Sequence, residues 1–406
     1  MAHNLTNISA QRTPNMGEHA ISRRTLLAGS LFALGLHGCG GGGTSTTPAS
    51  TTPSSTSGVN GGVVTTFAGT AGVYDTSTFL GVDGTGAAAK FSADLVSGLS
   101  GIRGISVDQN GTLYVVDGLT IRKISSSGVV TTFLGGGATG GSSGTLDGTG
   151  TAALFNTPCG VAVDLSGNIY VADKVDNVIR KSTSAGVVTT FAGTVSQIGF
   201  ADATGNAARF NAPHGLAVDS SGNVYVADKS NHRIRKITPA GVVTTLAGSS
   251  QGSVDGTGTA AKFNNPENVA VGIDGNVYVS DTYNHAIRKI VAATGVVTTV
   301  AGNANVVGYA DGNDISALFF QPRGLASDTN GNLYVADSGN HAIRKITPQG
   351  VVTTLAGNNP TLGRLSGSSD GTGYSAKFYL PYALTVDRNN SIFVGDTGNF
   401  DIRKIT

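Results

Sequence analysis

The chain has 406 residues, of which 60 are glycine and only 13% are charged. Hydrophobic residues make up 39%, which excludes an intrinsically disordered chain, and the glycines do not follow the three-residue period of collagen. A formal net charge of +1 leaves no broad basic field for nucleic acid. The composition therefore predicts a turn-rich, well-packed β protein and does not indicate a function.

The first 38 residues have the pattern of an export signal. An Arg-Arg pair at residues 23–24 precedes an apolar run over residues 26–36. At about 1.5 Å per residue this run is too short to cross a hydrocarbon core of about 30 Å, so it fits a signal peptide. The run ends in Leu-His-Gly-Cys, which resembles a bacterial lipobox with Cys39 as the lipidated residue. We therefore expect an exported lipoprotein, anchored at the periplasmic or outer-membrane face of a bacterial envelope, through either the twin-arginine or the general route.

Residues 39–60 form a Gly-, Ser-, Thr- and Pro-rich segment without a periodic apolar pattern. Such a linker stays flexible and would hold a folded domain away from a membrane. Removal of residues 1–38 takes away three arginines and one glutamate, which changes the net charge from +1 to −1. It leaves Cys159 as the only thiol besides Cys39, so we expect no disulfide framework.

An internal repeat organises residues 61–406. Val-Val-Thr-Thr and Ile-Arg-Lys each occur six times, at intervals of 53 to 66 residues. The clearest copy predicts four short strands, named a to d, at residues 215–219, 224–228, 234–237 and 242–246. Six such units without a long helix predict an all-β fold, a six-bladed β-propeller of four-stranded antiparallel blades.

The two ends of the repeat array are complementary. The array begins with a lone strand d at residues 63–67 and ends with a lone strand c at residues 402–406. Pairing of these two strands would close the ring and remove two exposed strand edges. We therefore expect the N-terminal strand to complete the sixth blade.

The repeat closely resembles the NHL family. Asn-His pairs at residues 231–232, 284–285 and 340–341 carry part of its motif, and the Val-Ala-Asp and Ile-Arg-Lys-Ile elements also fit. Two blades differ from this motif. Blade 1 has Gly-Leu at 118–119 in place of the Asn-His pair and an insertion around residues 94–100, and blade 6 has Asn-Phe at 399–400. The resemblance implies the propeller fold from residue 61 onwards. It leaves the function open, because relatives include RNA-binding modules, protein-interaction domains, sensor domains and a few lyases.

Polar residues that recur in each repeat are expected to stabilise the blades. An aspartate ends each strand b and an arginine follows on each strand c, so we expect one Asp–Arg pair per blade. The loop histidines His232, His285 and His341 are expected to stabilise their loops. A recurring Asp-Gly-Thr-Gly motif offers one acid per copy, which favours an Asp-capped turn leading into a short helical turn over a calcium loop. The three repeated sets are Asp117, Asp173, Asp228, Asp281, Asp337 and Asp396; Arg122, Arg180, Arg235, Arg288, Arg344 and Arg403; and Asp83, Asp147, Asp202, Asp255, Asp311 and Asp370.

One position at the start of strand a, the middle residue of a Pro-x-Gly or similar triplet, does not repeat regularly. Strand a is expected to be innermost, so these residues should ring the channel mouth on the face with the long d–a loops. We expect opposite pairs three blades apart, 103 with 267, 159 with 323 and 214 with 382. A variable, solvated rim is the alternative interpretation. The candidate ligand-binding residues are Arg103, Cys159, His214, Glu267, Arg323 and Tyr382.

Two of these residues stand out by counting. Glu267 is the only glutamate after residue 38, and His214 is the only histidine there outside the Asn-His pairs. A neighbouring His and Glu can exchange a proton or hold a divalent metal ion, the one cofactor that we consider. Arg103 and Arg323 can bind a carboxylate or phosphate, and Tyr382 can carry a proton. His214, Glu267 and Tyr382 are thus the candidate catalytic residues.

Two functions remain open. The first is a monomeric, lipid-anchored binding module that presents its loop-rich face to a protein or small-molecule ligand. The second, implied by the resemblance to NHL-type lyases and six-bladed lactonases, is an enzyme that uses the channel mouth. The amidating lyases of this fold hold zinc through several channel histidines, whereas here only His214 has such a position. The charge of −1 and the export signal disfavour RNA binding.

Overall fold

The computed structural model describes residues 61–74, 81–92, 101–359 and 363–406. The expected signal peptide, Cys39 and the linker to residue 60 lie outside the described residues, as does the insertion at residues 94–100. In the described part of the chain, no helix is long and apolar enough to cross a bilayer.

The described strands form six antiparallel sheets, each of which is one blade, and this confirms the all-β six-bladed propeller. Strand a of every blade contacts strand a of both neighbouring blades and is therefore innermost. Strands a are Ile102–Val107, Pro158–Val163, Pro213–Val218, Asn268–Val271, Pro322–Ser327 and Pro381–Val386. Strands b, which end at the repeated aspartate, are Leu113–Asp117, Ile169–Asp173, Val224–Asp228, Val277–Asp281, Leu333–Asp337 and Ile392–Asp396.

Strands c and d complete the predicted part of each blade. Strands c are Thr120–Ile124, Val178–Ser182, Arg233–Ile237, Ala286–Ile290, Ala342–Ile346 and Asp401–Ile405. Strands d are Val129–Gly135, Val187–Ala192, Val242–Ala247, Val296–Ala301, Val351–Gly357 and, for blade 6, Val63–Gly69.

The blades have five strands, so the prediction of four strands per blade was wrong. A two-residue edge strand follows the aspartate of each Asp-Gly-Thr-Gly motif or its variant and pairs with the start of strand d. Two residues are too few to show the alternating pattern by which a strand is recognised in a sequence. The edge strands are Gly84–Thr85, Gly148–Thr149, Ala203–Thr204, Gly256–Thr257, Gly312–Asn313 and Gly371–Thr372.

Short 3₁₀ turns are the helical elements of the described residues. One follows each edge strand, at Gly86–Ala88, Gly150–Ala152, Gly205–Ala207, Gly258–Ala260, Asp314–Ser316 and Gly373–Ser375. The b–c loops of blades 3, 4 and 5 contain the others, at Lys229–Asn231, Thr282–Asn284 and Ser338–Asn340.

The ring closes through the N-terminal strand, as predicted. Val63–Gly69 lies between the edge strand Gly371–Thr372 and strand c Asp401–Ile405 of blade 6. The backbone amide of Val63 donates to the carbonyl of Thr406 at 2.9 Å, and the reciprocal bond is 3.0 Å. Blade 6 is therefore built from both ends of the described propeller.

The hydrophobic core is divided into six clusters of buried side chains, each shared by neighbouring blades. One phenylalanine before each strand a is fully buried, and the guanidinium of the strand c arginine lies 5.0 to 6.0 Å from its ring centre. These distances permit cation–π contacts, which stabilise a buried charge. The phenylalanines are Phe91, Phe155, Phe210, Phe263, Phe319 and Phe378.

The expected Asp–Arg pair within the blade forms in five of the six blades, at N–O distances of 2.7 to 3.3 Å. Each strand c arginine also pairs with the Asp-Gly-Thr-Gly aspartate of its blade at 2.5 to 2.7 Å. Those aspartates thus bind arginine and do not cap the 3₁₀ turns. Buried charges are tolerated when they are paired in this way.

Blade 2 lacks the expected ion pair. The carboxylate of Asp173 accepts backbone hydrogen bonds from Asn156 and Thr157, and Arg180 pairs with Asp147 instead. The position three residues after the aspartate is Asp176, where blades 3 to 6 have an asparagine that donates to the strand b carboxylate. An aspartate carboxylate cannot make this donation.

The three loop histidines link neighbouring blades, which agrees with their predicted structural role. Each has a left-handed backbone, with φ of 55° to 57°. The Nδ1 atom of each ring accepts a hydrogen bond of 3.1 Å from a backbone amide of the next blade. The donor–acceptor pairs are Asn265–His232, Gln321–His285 and Leu380–His341.

Candidate functional site

The six irregular residues lie at the same end of the strands a. In five blades the strand a–b register shifts at this point, which is the mark of a β-bulge. A bulge bends its strand and re-aims a side chain. In blade 4, strand a begins one residue after Glu267, whose amide donates to the Ser280 carbonyl at 3.1 Å.

A cavity of about 290 Å³ follows the central channel and is lined by residues of all six strands a. Arg103, His214, Glu267, Arg323 and Tyr382 line it. Cys159 is fully buried next to the mouth, with its Sγ 3.9 Å from Nη1 of Arg103. Five of the six irregular residues therefore converge on one cavity and do not splay outward as a solvated rim would.

A short hydrogen-bonded chain joins three of these residues. The Tyr382 hydroxyl lies 3.0 Å from Nε2 of His214 and 3.2 Å from Oε2 of Glu267. Nδ1 of His214 lies 3.1 Å from the carbonyl oxygen of Glu267. This contact requires the proton on Nδ1, so Nε2 is the acceptor that faces the tyrosine hydroxyl.

Two cations hold the Glu267 carboxylate. Oε1 lies 2.5 Å from Nζ of Lys229, and Oε2 lies 3.3 Å from Nε of Arg323. The Arg323 guanidinium also lies 4.6 Å from the ring centre of Tyr382. These contacts fix the side chains of blades 3 to 6 relative to one another, so the mouth is organised before any ligand arrives.

Burial sets the protonation states at the mouth. It lowers the pKa of His214 to about 3, against the opposing effect of Glu267, so this imidazole is neutral at pH 7. Burial and the Glu267 charge raise the pKa of the Tyr382 hydroxyl well above its ordinary value. Burial alone would raise the pKa of Glu267, but His214, Lys229 and Arg323 hold it below its usual range. The site at neutral pH has an ionised carboxylate beside a neutral histidine and a protonated tyrosine.

The predicted opposite pairs are only partly formed. His214 and Tyr382 meet across the channel, as expected from three-blade spacing. The Glu267 ion pair is instead with Arg323 of the next blade, and Cys159 contacts Arg103 of the preceding blade. Long arginine side chains can lie along the rim, where the start of the neighbouring strand a is nearer than the opposite one.

Burial raises the pKa of the Cys159 thiol, which makes this thiol a poor nucleophile.

The sequence prediction missed Lys229, which is the residue directly after the strand b aspartate of blade 3. In blades 4 to 6 this position is Thr282, Ser338 or Thr397, whose hydroxyl donates to a strand a carbonyl of the next blade. Blades 2 and 3 have Lys174 and Lys229 instead, and both cations act on His214. Alignment of this position across the repeats would have revealed the two lysines.

The mouth does not fit the zinc site of the lyases. His214 is the only histidine that lines the channel among the described residues, and its free ring nitrogen faces Tyr382. Both oxygens of Glu267 face cations. Among the described residues, no group of three or more His, Cys, Asp or Glu side chains could hold a metal ion. A structural or catalytic zinc requires three or four ligands.

Comparison with known families agrees with the repeat structure. The NHL repeat family matches residues 210–237, 263–290 and 319–346, and the teneurin NHL domain matches residues 82–146. The chain therefore contains NHL repeats within a six-bladed β-propeller. In the NHL matches, the matched segment runs from the buried phenylalanine through strand c, which covers the part of the blade that carries the Asp–Arg pair.

The NHL propeller forms only part of its curated relatives. It is 30% identical over 249 residues to protein SUPPRESSOR OF QUENCHING 1 of Arabidopsis thaliana, which covers 58% of this chain and 24% of the plant protein. It is 31% identical over 179 residues to human NHL repeat-containing protein 2, covering 41% of this chain and 25% of the human protein. The matched region thus spans about a quarter of the length of these relatives.

Solved structures show the same fold. An auxiliary nutrient binding protein from Bacteroides thetaiotaomicron superposes with a TM-score of 0.61 at 20% identity, over 85% of this chain and 76% of that chain. A structural genomics protein from the same organism gives 0.62 at 23% identity, over 85% and 75%. Identities this low establish the shared propeller architecture and nothing finer.

Proposed function

We propose that this NHL propeller is a binding module that takes a small polar ligand at the channel mouth. The observation that supports this proposal is the convergence of the irregular residues on one cavity. The residues that recur in every repeat account for the structure of the blades. Five irregular residues at the mouth do not belong to that repeated set: Arg103, His214, Glu267, Arg323 and Tyr382. Concave sites with a few fixed polar groups are the usual form of small-molecule sites.

The face on which the mouth opens also favours recognition. It carries the long d–a loops, and these expose large apolar side chains such as Ile198, Phe200 and Leu365. The opposite face consists of tight a–b and c–d turns, where hydrogen-bonded aspartates such as Asp164 and Asp219 fix the backbone. Recognition concentrates on long loops held by a rigid scaffold.

The proposal places the propeller outside the cytoplasm. Its support is the sequence pattern of an export signal at residues 1–38, followed by the lipobox-like Cys39 and a spacer to residue 60. The auxiliary nutrient binding proteins of Bacteroides thetaiotaomicron and Bacteroides ovatus share the fold. We therefore propose capture of a nutrient-sized molecule at the cell envelope as the role of the site.

The test is a thermal-shift screen of the purified full-length chain against sugars, sugar acids, amino acids and small organic acids. A ligand that binds only the folded state raises the unfolding temperature. Any hit is expected to lose at least about tenfold in affinity in Tyr382→Phe and Glu267→Gln, because each change removes a hydrogen-bond partner in a buried site. Arg388→Ala, on the opposite face, is the matched control. Absence of any hit, or hits that the mouth variants leave unchanged, would refute the proposal.

A proton-transfer enzyme is the second candidate, and the position of the Tyr382 hydroxyl between His214 and Glu267 favours it. The lone pair on Nε2 of the neutral imidazole can accept a proton from a substrate, and the Glu267 carboxylate stabilises the imidazolium that results, while the Tyr382 hydroxyl can donate a hydrogen bond. The test is turnover of lactones and of ester or amide substrates that contain a carbon acid. Activity that disappears in Tyr382→Phe and persists in Arg388→Ala would support this candidate, and no turnover by the parent chain would oppose it.

A further inference from the structure

The channel mouth has more positive than negative charge. Its lining, as far as the structure describes it, contains a single carboxylate, that of Glu267. Lys229 and Arg323 both lie against this carboxylate, and Lys174 is close enough to lower the pKa of His214 and of the Cys159 thiol. Lys174 forms no ion pair within the described part of the chain. At neutral pH the lining therefore carries two guanidinium groups, those of Arg103 and Arg323, against one carboxylate, and Lys229 lies beside it on Glu267.

The two lysines replace a structural contact. At the same position, blades 4 to 6 use the hydroxyl of Thr282, Ser338 or Thr397 to join adjacent blades. These hydrogen bonds are 2.5 to 2.8 Å long, and Thr282 and Ser338 are buried. Blades 2 and 3 give up this bond and have a positively charged lysine there instead. The exchange occurs in the two blades that flank the His214 side of the mouth.

One carboxylate holds both Lys229 and Arg323 in place, so it neutralises only one of their two positive charges. Glu267 fixes Lys229 and Arg323, so their positions cost little entropy when a second anion arrives. Partial burial strengthens the attraction, since Lys229 and Arg323 expose only 18% and 23% of their side chains. Guanidinium and ammonium groups are the side chains that proteins use to bind carboxylates and phosphates.

We propose that the ligand of this mouth is a small organic oxyanion, a carboxylate or a phosphate ester, which binds in the cavity lined by Arg103 and Arg323. It is also attracted by Lys229, which is held on Glu267, and by Lys174 at the equivalent position of blade 2. This inference rests on the proposed binding function. The cavity of about 290 Å³ has room for roughly ten water-sized groups, so the ligand is about the size of a monosaccharide acid. The uncharged part of the ligand lies toward His214 and Tyr382, which offer a lone pair and a hydroxyl.

The experiment compares charged and neutral partners of one shape on the full-length chain, by isothermal titration calorimetry. The probes are galacturonate against galactose, and glucose 6-phosphate against glucose. We expect one anion to bind, its neutral partner to bind at least about tenfold more weakly, and the affinity to fall as salt rises. The carboxylate and phosphate arms identify which oxyanion the mouth takes.

Lys174→Thr and Lys229→Thr are the decisive variants, because threonine is what the fold itself has at this position in blades 4 and 6. Each is expected to weaken anion binding about tenfold while unfolding at the same or a higher temperature. Equal binding of the charged and neutral probes, or of parent and lysine variants, would overturn the oxyanion inference. Neutral ligands that still depend on Tyr382 would leave the proposed binding function standing. If neither these probes nor the screened compounds bind, both proposals fail.

Discussion

Asp401 is expected to make the closed ring less stable as the pH rises. This residue begins strand c of blade 6, is fully buried, and has no hydrogen-bond partner for either carboxylate oxygen in the described structure. It lies opposite Asp396 on one side and opposite Gly69 of the closing N-terminal strand on the other. The corresponding residue in blades 4 and 5 is alanine, so Asp401→Ala introduces a side chain that the fold already uses there.

The size of the effect follows from the pKa. Burial raises the pKa of Asp401 from 3.8 to about 7, against the opposing charge of Arg403. Three pKa units correspond to about 4 kcal/mol. Because the folded pKa is the higher one, the folded state binds more protons between pH 3.8 and 7, and stability falls as the pH rises through this window. Asp401→Ala is therefore expected to unfold at clearly higher denaturant than the parent at pH 8, by up to about 4 kcal/mol, and to differ little at pH 4.

Urea unfolding from pH 4 to pH 8 measures this difference. The control is Asp274→Ala, whose carboxylate pairs with Lys289 at 2.8 Å. Burial alone would raise the pKa of Asp274, but hydrogen bonds from Lys289, Asn276 and Tyr278 together lower it to about 2, so its contribution is lost only at low pH. Between pH 4 and pH 8, Asp274→Ala should thus lower stability by a nearly constant amount, whereas the gain in stability from Asp401→Ala should grow as the pH rises. Parallel profiles for the parent chain and Asp401→Ala would refute the reasoning.

Two further predictions concern blade 2. Burial, reinforced by the charge of Asp176 and opposed by backbone hydrogen bonds, raises the pKa of Asp173 to about 6, and Oδ2 of Asp176 is buried without a partner. Asp176→Asn supplies the donor found in blades 3 to 6 and is expected to raise stability at pH 7 by about 1 kcal/mol, measured by urea unfolding; unchanged stability would contradict this. The fully buried Cys159 thiol should resist alkylation until the protein unfolds, and rapid labelling of the Cys159 peptide in the native protein, followed by mass spectrometry, would contradict its placement.

Most of the fold follows from the repeat, because each blade satisfies the same local rules. The strand pattern, the aspartate and arginine positions and the complementary ends were enough to predict six blades and their closure. The edge strands could not be predicted, since two residues that pair only after strand d is in place have no signature of their own. Tertiary pairing, and not local preference, makes Gly84–Thr85 a strand.

The sequence indicated the residues of the candidate site and one of their contacts, that between His214 and Tyr382. Irregularity within a regular repeat identified His214, Glu267 and Tyr382, and the structure brings them together. Lys174 and Lys229 were missed because they follow a repeated aspartate and read as loop residues. The choice of Arg323 as the partner of Glu267 depends on the reach of a long side chain along the rim, which spacing by blades does not encode.

The closing strand has a consequence for the order of folding. Thr66 binds Asp370, 304 residues further along the chain, and Val63 binds Thr406. These contacts cannot form until residues 370 to 406 have been synthesised, so the strand Val63–Gly69 lacks its partners in blade 6 during most of synthesis. Before then the partly folded ring exposes a strand edge that can pair with other molecules. Pairing with Gly371–Thr372 and Asp401–Ile405 removes that edge and stabilises the ring. We therefore expect folding to be most efficient when the strand Val63–Gly69 is kept from pairing with other molecules until Asp401–Ile405 is available.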